Sequence, residues 1–280
     1  MNNLGFLLAL GAAIAWGSYA VPFKKSKSEN LIQYQALMTV GIFISGFIFS
    51  FLAGYPINFN VYGLISGFLW AIANFISLFA FANLGLSKAA PIISSLVILS
   101  TFLWGTVVFN ELPAGLVMAS VGILAIITGV IMASTIISTQ SLNAKMGLIA
   151  AIFSGLIFGS QLVPLKLGKV EPQDFFFSST LGIFIIGIAI FLFKKARFKK
   201  EAITLSLLSG VIWNVGNLLS LISVSLIGLA KSIPLTQTAV LIAILWGVFY
   251  FKEVRSGKSI FQVLAGAVVL LTGVIVLSLA

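Results

Sequence analysis

Apolar residues run along this chain in long blocks separated by short polar connections. A helix that crosses a bilayer needs about 20 mostly apolar residues. Ten runs meet that condition: 4–23, 31–53, 61–83, 89–109, 113–134, 146–165, 173–193, 202–227, 232–251 and 259–279. They predict an all-α integral membrane protein with ten transmembrane helices. The longest hydrophilic stretch runs only from Lys194 to Glu201. It reads as a solvated loop, and basic clusters of this kind mark the cytoplasmic side. Met1 to Gly5 lack the basic start of a cleavable signal peptide, so the first run is expected to be kept as a span.

Two of the blocks carry more polar residues than a lipid-facing helix needs. Trp70 to Pro91 and Trp213 to Pro234 agree at a constant offset, with Trp, Asn, Ser, Leu, Gly, Leu, Lys and Pro coinciding. That is 8 of 22 positions, where chance would give roughly two, so the chain contains an internal repeat. The repeat extends further. Gly17-Ser18, Pro22, Lys24 and Lys27 face Gly159-Ser160, Pro164, Lys166 and Lys169. Trp104-Gly105 and Glu111 face Trp246-Gly247 and Glu253, and Gly122 and Gly129 face Gly266 and Gly273. Residues 1–140 and 141–280 therefore form two five-helix repeats. Five is odd, so the second half must enter the membrane upside down. Such inverted repeats place a site near the bilayer midplane, at the interface between the halves.

Composition supports the membrane reading. Of the 280 residues, 60% are hydrophobic and only 8% are charged, against about 25% in a soluble domain. The net charge of +10 would suggest nucleic acid in a soluble chain. Here the basic residues sit between apolar runs, so lipid is the expected partner and nucleic acid is not. Thirteen of the 16 basic residues fall in loops on one side, leaving Lys166, Lys169 and Lys231 on the other. The positive-inside rule makes the first side cytoplasmic and puts both termini outside a plasma membrane. The chain has no Cys and no His. That excludes a disulfide framework, a thiol nucleophile and the usual zinc sites, so neither metal nor cofactor is expected.

Candidate chemistry follows from polar positions inside the spans. Trp70, Asn74 and Ser77 are spaced i, i+4, i+7 on one helix face, as are Trp213, Asn217 and Ser220. Both asparagines fall near mid-span, where an amide must face protein or a wet cavity. An amide both donates and accepts, which suits a hydroxyl-rich ligand. The alternative is interhelical bonding worth about 0.6–2 kcal/mol. Trp16, Gln161 and Gln237 are further candidates for the same substrate site. Trp104 and Trp246, near helix ends, fit an interfacial belt equally well. Lys88 and Lys231 lie between a Gly and a Pro, at a corner where a cation could cap a helix or act as a gate. The six acids are all off mid-span. Glu111 and Glu253 end their helices and are the only pair suited to proton coupling, the alternative being solvated helix ends. The paired glycines of spans five and ten read as close packing, and Pro22 and Pro164 as bends. No nucleophile with a base, paired mid-span carboxylates or phosphate loop occurs, so an enzyme is not expected.

Ala15-Trp16-Gly17-Ser18, Gly85 through Pro91, and Trp104-Gly105 through Glu111 resemble motifs of the drug/metabolite transporter superfamily. Within it the chain is similar to the glucose/ribose porter, or sugar uptake, family over nearly its whole length. The resemblance implies alternating access between two bundles around a central cavity, with a sugar as substrate. The leading expectation is a secondary transporter of a monosaccharide, as a monomer or homodimer, with proton coupling open. The alternative is an exporter of amino acids or other small metabolites. A non-transporting membrane protein is the third reading.

Overall fold

The computed structural model describes residues 2–26, 30–109, 115–134, 143–193, 202–227, 232, 235–236, 238–254 and 256–279. Among these, all regular structure is helical: α1 (Asn2–Ser18), α2 (Val21–Ser26), α3 (Leu31–Ala53), α4 (Val61–Leu84), α5 (Leu86–Leu103), α6 (Leu116–Ser134), α7 (Ala144–Ser160), α8 (Val163–Leu167), α9 (Pro172–Phe193), α10 (Ile203–Ile227), α11 (Ala239–Leu245) and α12 (Gly257–Leu279). Among the described residues, eight helical stretches are long and apolar enough to cross a membrane. Two apolar helices are shorter, Val117–Ala133 and Ala239–Tyr250. Phe51, Leu52, Phe193 and Phe261 stand 75% exposed or more. Large apolar side chains spread over the outer surface suit lipid rather than water. The protein is an integral membrane α-helical protein.

Local chemistry sets the helix ends. The Asn30 side chain accepts from the Gln33 N–H, and Asn60 accepts from the N–H groups of Tyr62 and Gly63, which satisfies donors that a first turn leaves free. Gly54 ends α3 in the left-handed region, at φ 67°. Gly85 ends α4 at φ 81°, and α5 begins at once with Leu86. The sequence places the start of this span near 89, with Pro91 in its first turn. The helix in fact starts three residues earlier, and Pro91 lies inside it. The early start is possible because a carboxylate from elsewhere caps it, as described below. The bends expected at Pro22 and Pro164 are present. A turn separates α1 from α2, and another separates α7 from α8. The π-helical turns Trp104–Val108 and Trp246–Tyr250 close α5 and α11.

The helices pack in matching pairs. α1 lies on α10 and α7 on α4; α3 lies on α10 and α9 on α4; α5 lies on α7 and α11 on α1. α3 also meets α9, α5 meets α11, and α6 pairs with α12. Glycines set the closest approaches. A Cβ at Gly122 would stand 2.9 Å from the Gly273 carbonyl oxygen, and one at Gly129 would stand 2.6 Å from that of Gly266. With no hydrophobic drive between helices in lipid, such backbone contact is what holds them together.

Candidate functional site

The aromatic residues of the repeated stretch meet inside the bundle. Trp70 of α4 is 2% exposed and Trp213 of α10 is 6% exposed. Their ring centroids are 4.2 Å apart at an interplanar angle of 49°. Phe158 of α7 lies 6.0 Å from Trp70. Trp16 of α1 donates its indole N–H to the Trp213 carbonyl at 3.2 Å. Gly216 leaves room for that indole, since a Cβ there would come within 2.5 Å of the Trp16 ring. Trp16 and Phe158 are half-buried. The cluster thus joins α1, α4, α7 and α10, and it exposes its aromatic surface through those two residues. Aromatic faces of this size suit a ligand with one apolar face and polar edges.

The asparagines are not placed alike. Asn74 is fully buried. It donates to Gln35 Oε1 at 2.7 Å and lies 3.4 Å from Met38 Sδ. Gln35 in turn donates to the Ala71 carbonyl at 3.1 Å. Asn74 Oδ1 has no hydrogen-bond partner. Ser77, also buried, donates to the Asn74 carbonyl at 2.8 Å. Asn217 is half-buried, and Ser220 is 7% exposed. The buried amide on α10 is Asn214, which donates to the Ile42 carbonyl at 3.2 Å and to Ser45 Oγ at 3.1 Å. α3 is therefore pinned from α4 by Asn74 and from α10 by Asn214. Asn214 lies within the repeated Trp213-to-Asn217 segment, but nothing in its spacing marked it as the buried partner.

An unpaired buried amide costs about 1–3 kcal/mol. Gln35→Leu is expected to lower the unfolding temperature in detergent by several degrees, because it strands the Asn74 amide. Asn74→Leu with Gln35→Leu should recover most of that loss. Tryptophan fluorescence on heating checks both.

The helix-end tryptophans are hydrogen-bonded in a matching way. Trp104 Nε1 donates to Ser160 Oγ at 2.8 Å, and Trp246 Nε1 donates to Ser18 Oγ at 2.9 Å. Gln161 follows Ser160 in the turn after α7 and is half-buried. Lys88 is half-buried in the first turn of α5. Lys231, Gln237 and Glu111 lie outside the described residues.

Glu253 is tied down at one end of the bundle. Its carboxylate accepts from the Leu86 N–H at 2.9 Å, the Ser87 N–H at 2.8 Å and the Ser87 hydroxyl, and it pairs with Lys24 of α2. This is the carboxylate that lets α5 start directly after Gly85. Two glycines make space for it. A Cβ at Gly85 would fall 2.8 Å from the carboxylate, and one at Gly247 would fall 2.6 Å from Oε2. Lys252, at φ 52°, turns the chain back toward α5. The Lys24 ammonium also lies 4.9 Å from the Phe251 ring centroid. Lys166, the sequence counterpart of Lys24, lies 4.5 Å from the ring of Phe109, the counterpart of Phe251, within range of a cation–π contact.

An all-helical membrane bundle with aromatic and amide groups at its centre and a charged cluster at one end has the make-up of a solute carrier. The chain belongs to the sugar transport protein family, whose description it matches over residues 7–280. It is 25% identical over 286 residues to the glucose uptake protein GlcU of Bacillus subtilis, covering 99% of both chains. It is 26% identical over 293 residues to a probable glucose uptake protein of Priestia megaterium, again with 99% of each chain covered. One solved crystal structure shares the fold with a TM-score of 0.64 at 12% identity, over 98% of this chain and 97% of the other.

Proposed function

We propose that this protein is a secondary carrier that takes up a monosaccharide by alternating access, with the sugar held at the aromatic cluster. The observation that carries the reading is the tilted, contacting pair Trp70 and Trp213, with Trp16 and Phe158 beside it. Indole and phenyl faces pack on the C–H face of a pyranose ring, while neighbouring polar groups meet its hydroxyls. Asn217 and Ser220 follow Trp213 on the same face of α10 and are the hydroxyl partners we assign. Asn74 and Ser77 follow Trp70 in the same way. Reaching Asn74 requires α3 to release it. Gln161 and Gln237 complete the candidate set. The glucose-uptake names of the relatives agree with this substrate class.

Two inverted five-helix repeats, 1–140 and 141–280, fit both the sequence repeat and the matched helix pairings. On that reading the two shorter apolar helices are also spans, which makes ten. The loop charges favour both termini outside the plasma membrane. The carrier works as a monomer or a homodimer.

The test is uptake of labelled glucose, ribose and rhamnose into proteoliposomes, with and without a pH gradient. Saturable uptake of at least one sugar is expected. No uptake of any sugar on a broad panel would overturn the reading. Stimulation by an inward proton gradient would assign coupling to Glu253 or Glu111, and its absence would make the protein a facilitator.

A further inference from the structure

We infer that Lys24, Glu253 and the first turn of α5 form a separable clasp that closes one mouth of the carrier. The inference rests on the alternating-access reading above. Three elements far apart in the chain are tied together by this carboxylate: α2, the segment after the Trp246–Tyr250 π-turn, and α5. The carboxylate adds charge and hydrogen bonds to this junction. The two paired side chains are 26% and 9% exposed, so the charges can regain water when they part. A buried apolar seam offers no such replacement.

The parts around the clasp suit motion. The π-turn that leads into Glu253 is a backbone form frequent at functional sites. The first residue of that turn, Trp246, is bonded to Ser18 on α1, so movement of α11 relative to α5 is passed to α1. Gly85 and Gly247 flank the carboxylate and allow its close approach.

The other end differs. Lys166 rests on Phe109 as Lys24 rests on Phe251, yet Lys166 is exposed while Lys24 is half-buried. α2 reaches both α10 and α4, whereas α8 packs mainly on α4. The charge pattern of the loops puts the Lys24 end on the cytoplasmic side.

The chain has no cysteine, so a single thiol can report on the clasp. Ser94 is half-buried on α5, two turns beyond Ser87 on the same face. Ser94→Cys in reconstituted protein is treated with a membrane-impermeant methanethiosulfonate reagent, from each side separately. Labelling from the Lys24 side is expected to be slow. Adding Lys24→Ala or Glu253→Gln should speed it at least about tenfold, because each breaks a partly buried charge pair. Lys24→Arg, which keeps the cation, should leave it slow. An unchanged rate with both Lys24→Ala and Glu253→Gln would overturn the inference, as would equal acceleration by Lys24→Arg and Lys24→Ala. Should Glu253→Gln lose its monodisperse peak in gel filtration, Lys24→Ala decides the matter, since it leaves the α5 cap intact. Labelling needs no sugar. Faster labelling of the variants, with no sugar uptake by the protein that keeps Lys24 and Glu253, upholds the clasp and overturns the sugar reading; normal uptake by that protein, with labelling unchanged in the variants, does the opposite.

Discussion

Gly67→Leu and Gly210→Leu should each abolish recovery of folded carrier, the largest stability effects expected of any single substitution in this protein. The two glycines sit at the helix crossings where, among the described residues, a Cβ would come closest to facing backbone. At the α4–α9 crossing, a Cβ on Gly67 would lie 2.2 Å from the Ser179 carbonyl oxygen, and one on Gly182 would lie 2.4 Å from that of Leu64. At the α3–α10 crossing, a Cβ on Gly210 would lie 2.1 Å from the Met38 carbonyl oxygen, and one on Gly41 would lie 2.3 Å from that of Leu207. In every case the obstacle is backbone, which cannot swing aside as a side-chain tip can. Overpacking a core costs about 1–3 kcal/mol where side chains absorb the strain, and more where helices must separate. Separation would also break the Asn214 bonds to α3. Gly54→Leu is the control for helix ends, because nothing lies near a Cβ there and the penalty is only that of φ 67°. Yield of monodisperse protein in detergent, and its unfolding temperature, check the series. Normal yield of Gly67→Leu would mean that the crossing is looser than its geometry.

Trp213→Ala is expected to reduce the initial rate of sugar uptake about tenfold or more, since it removes the ring packed against Trp70 that supports the aromatic cluster. Trp70→Ala should do the same, because either ring supports the other at 4.2 Å. The substitution also costs stability, about 3–5 kcal/mol for a buried Trp. Uptake must therefore be compared with the unfolding temperature of the same preparation. Trp213→Phe separates the two effects. A phenyl ring keeps most of the packing and an aromatic face, so the unfolding temperature should fall little. The apparent KM should rise more than the maximal rate falls, as expected when ground-state contacts are lost. If Trp70→Ala and Trp213→Ala both carry sugar at the normal rate while remaining folded, the aromatic cluster is not the site.

Much of this molecule can be read from the chain itself. Apolar runs of membrane-crossing length define the helices, because the bilayer demands that every backbone polar group be satisfied within the segment. The repeat singled out Trp70 with Trp213, and the two rings indeed touch. It also marked Gly122, Gly129, Gly266 and Gly273 as packing positions, where backbone meets backbone. In each case a local pattern carries the information. Periodicity tells which residues share a face, and small residues can serve few purposes in lipid other than close approach.

What only the tertiary structure decided is which neighbour each face meets. Asn74 and Asn217 hold equivalent places in the repeat, but one is sealed against Gln35 and the other is half-buried. The difference lies in α3, which presents a glutamine to α4, while toward α10 it offers Ser45 and the Ile42 carbonyl to Asn214. Glu253 read from sequence as a solvated helix end or a titrating group. Its real partners, Lys24, Leu86 and Ser87, are far away along the chain. A carboxylate at a helix end can serve any of these roles. The choice among them depends on which cation and which free N–H groups the fold brings within hydrogen-bond reach, and no spacing along a single chain encodes that.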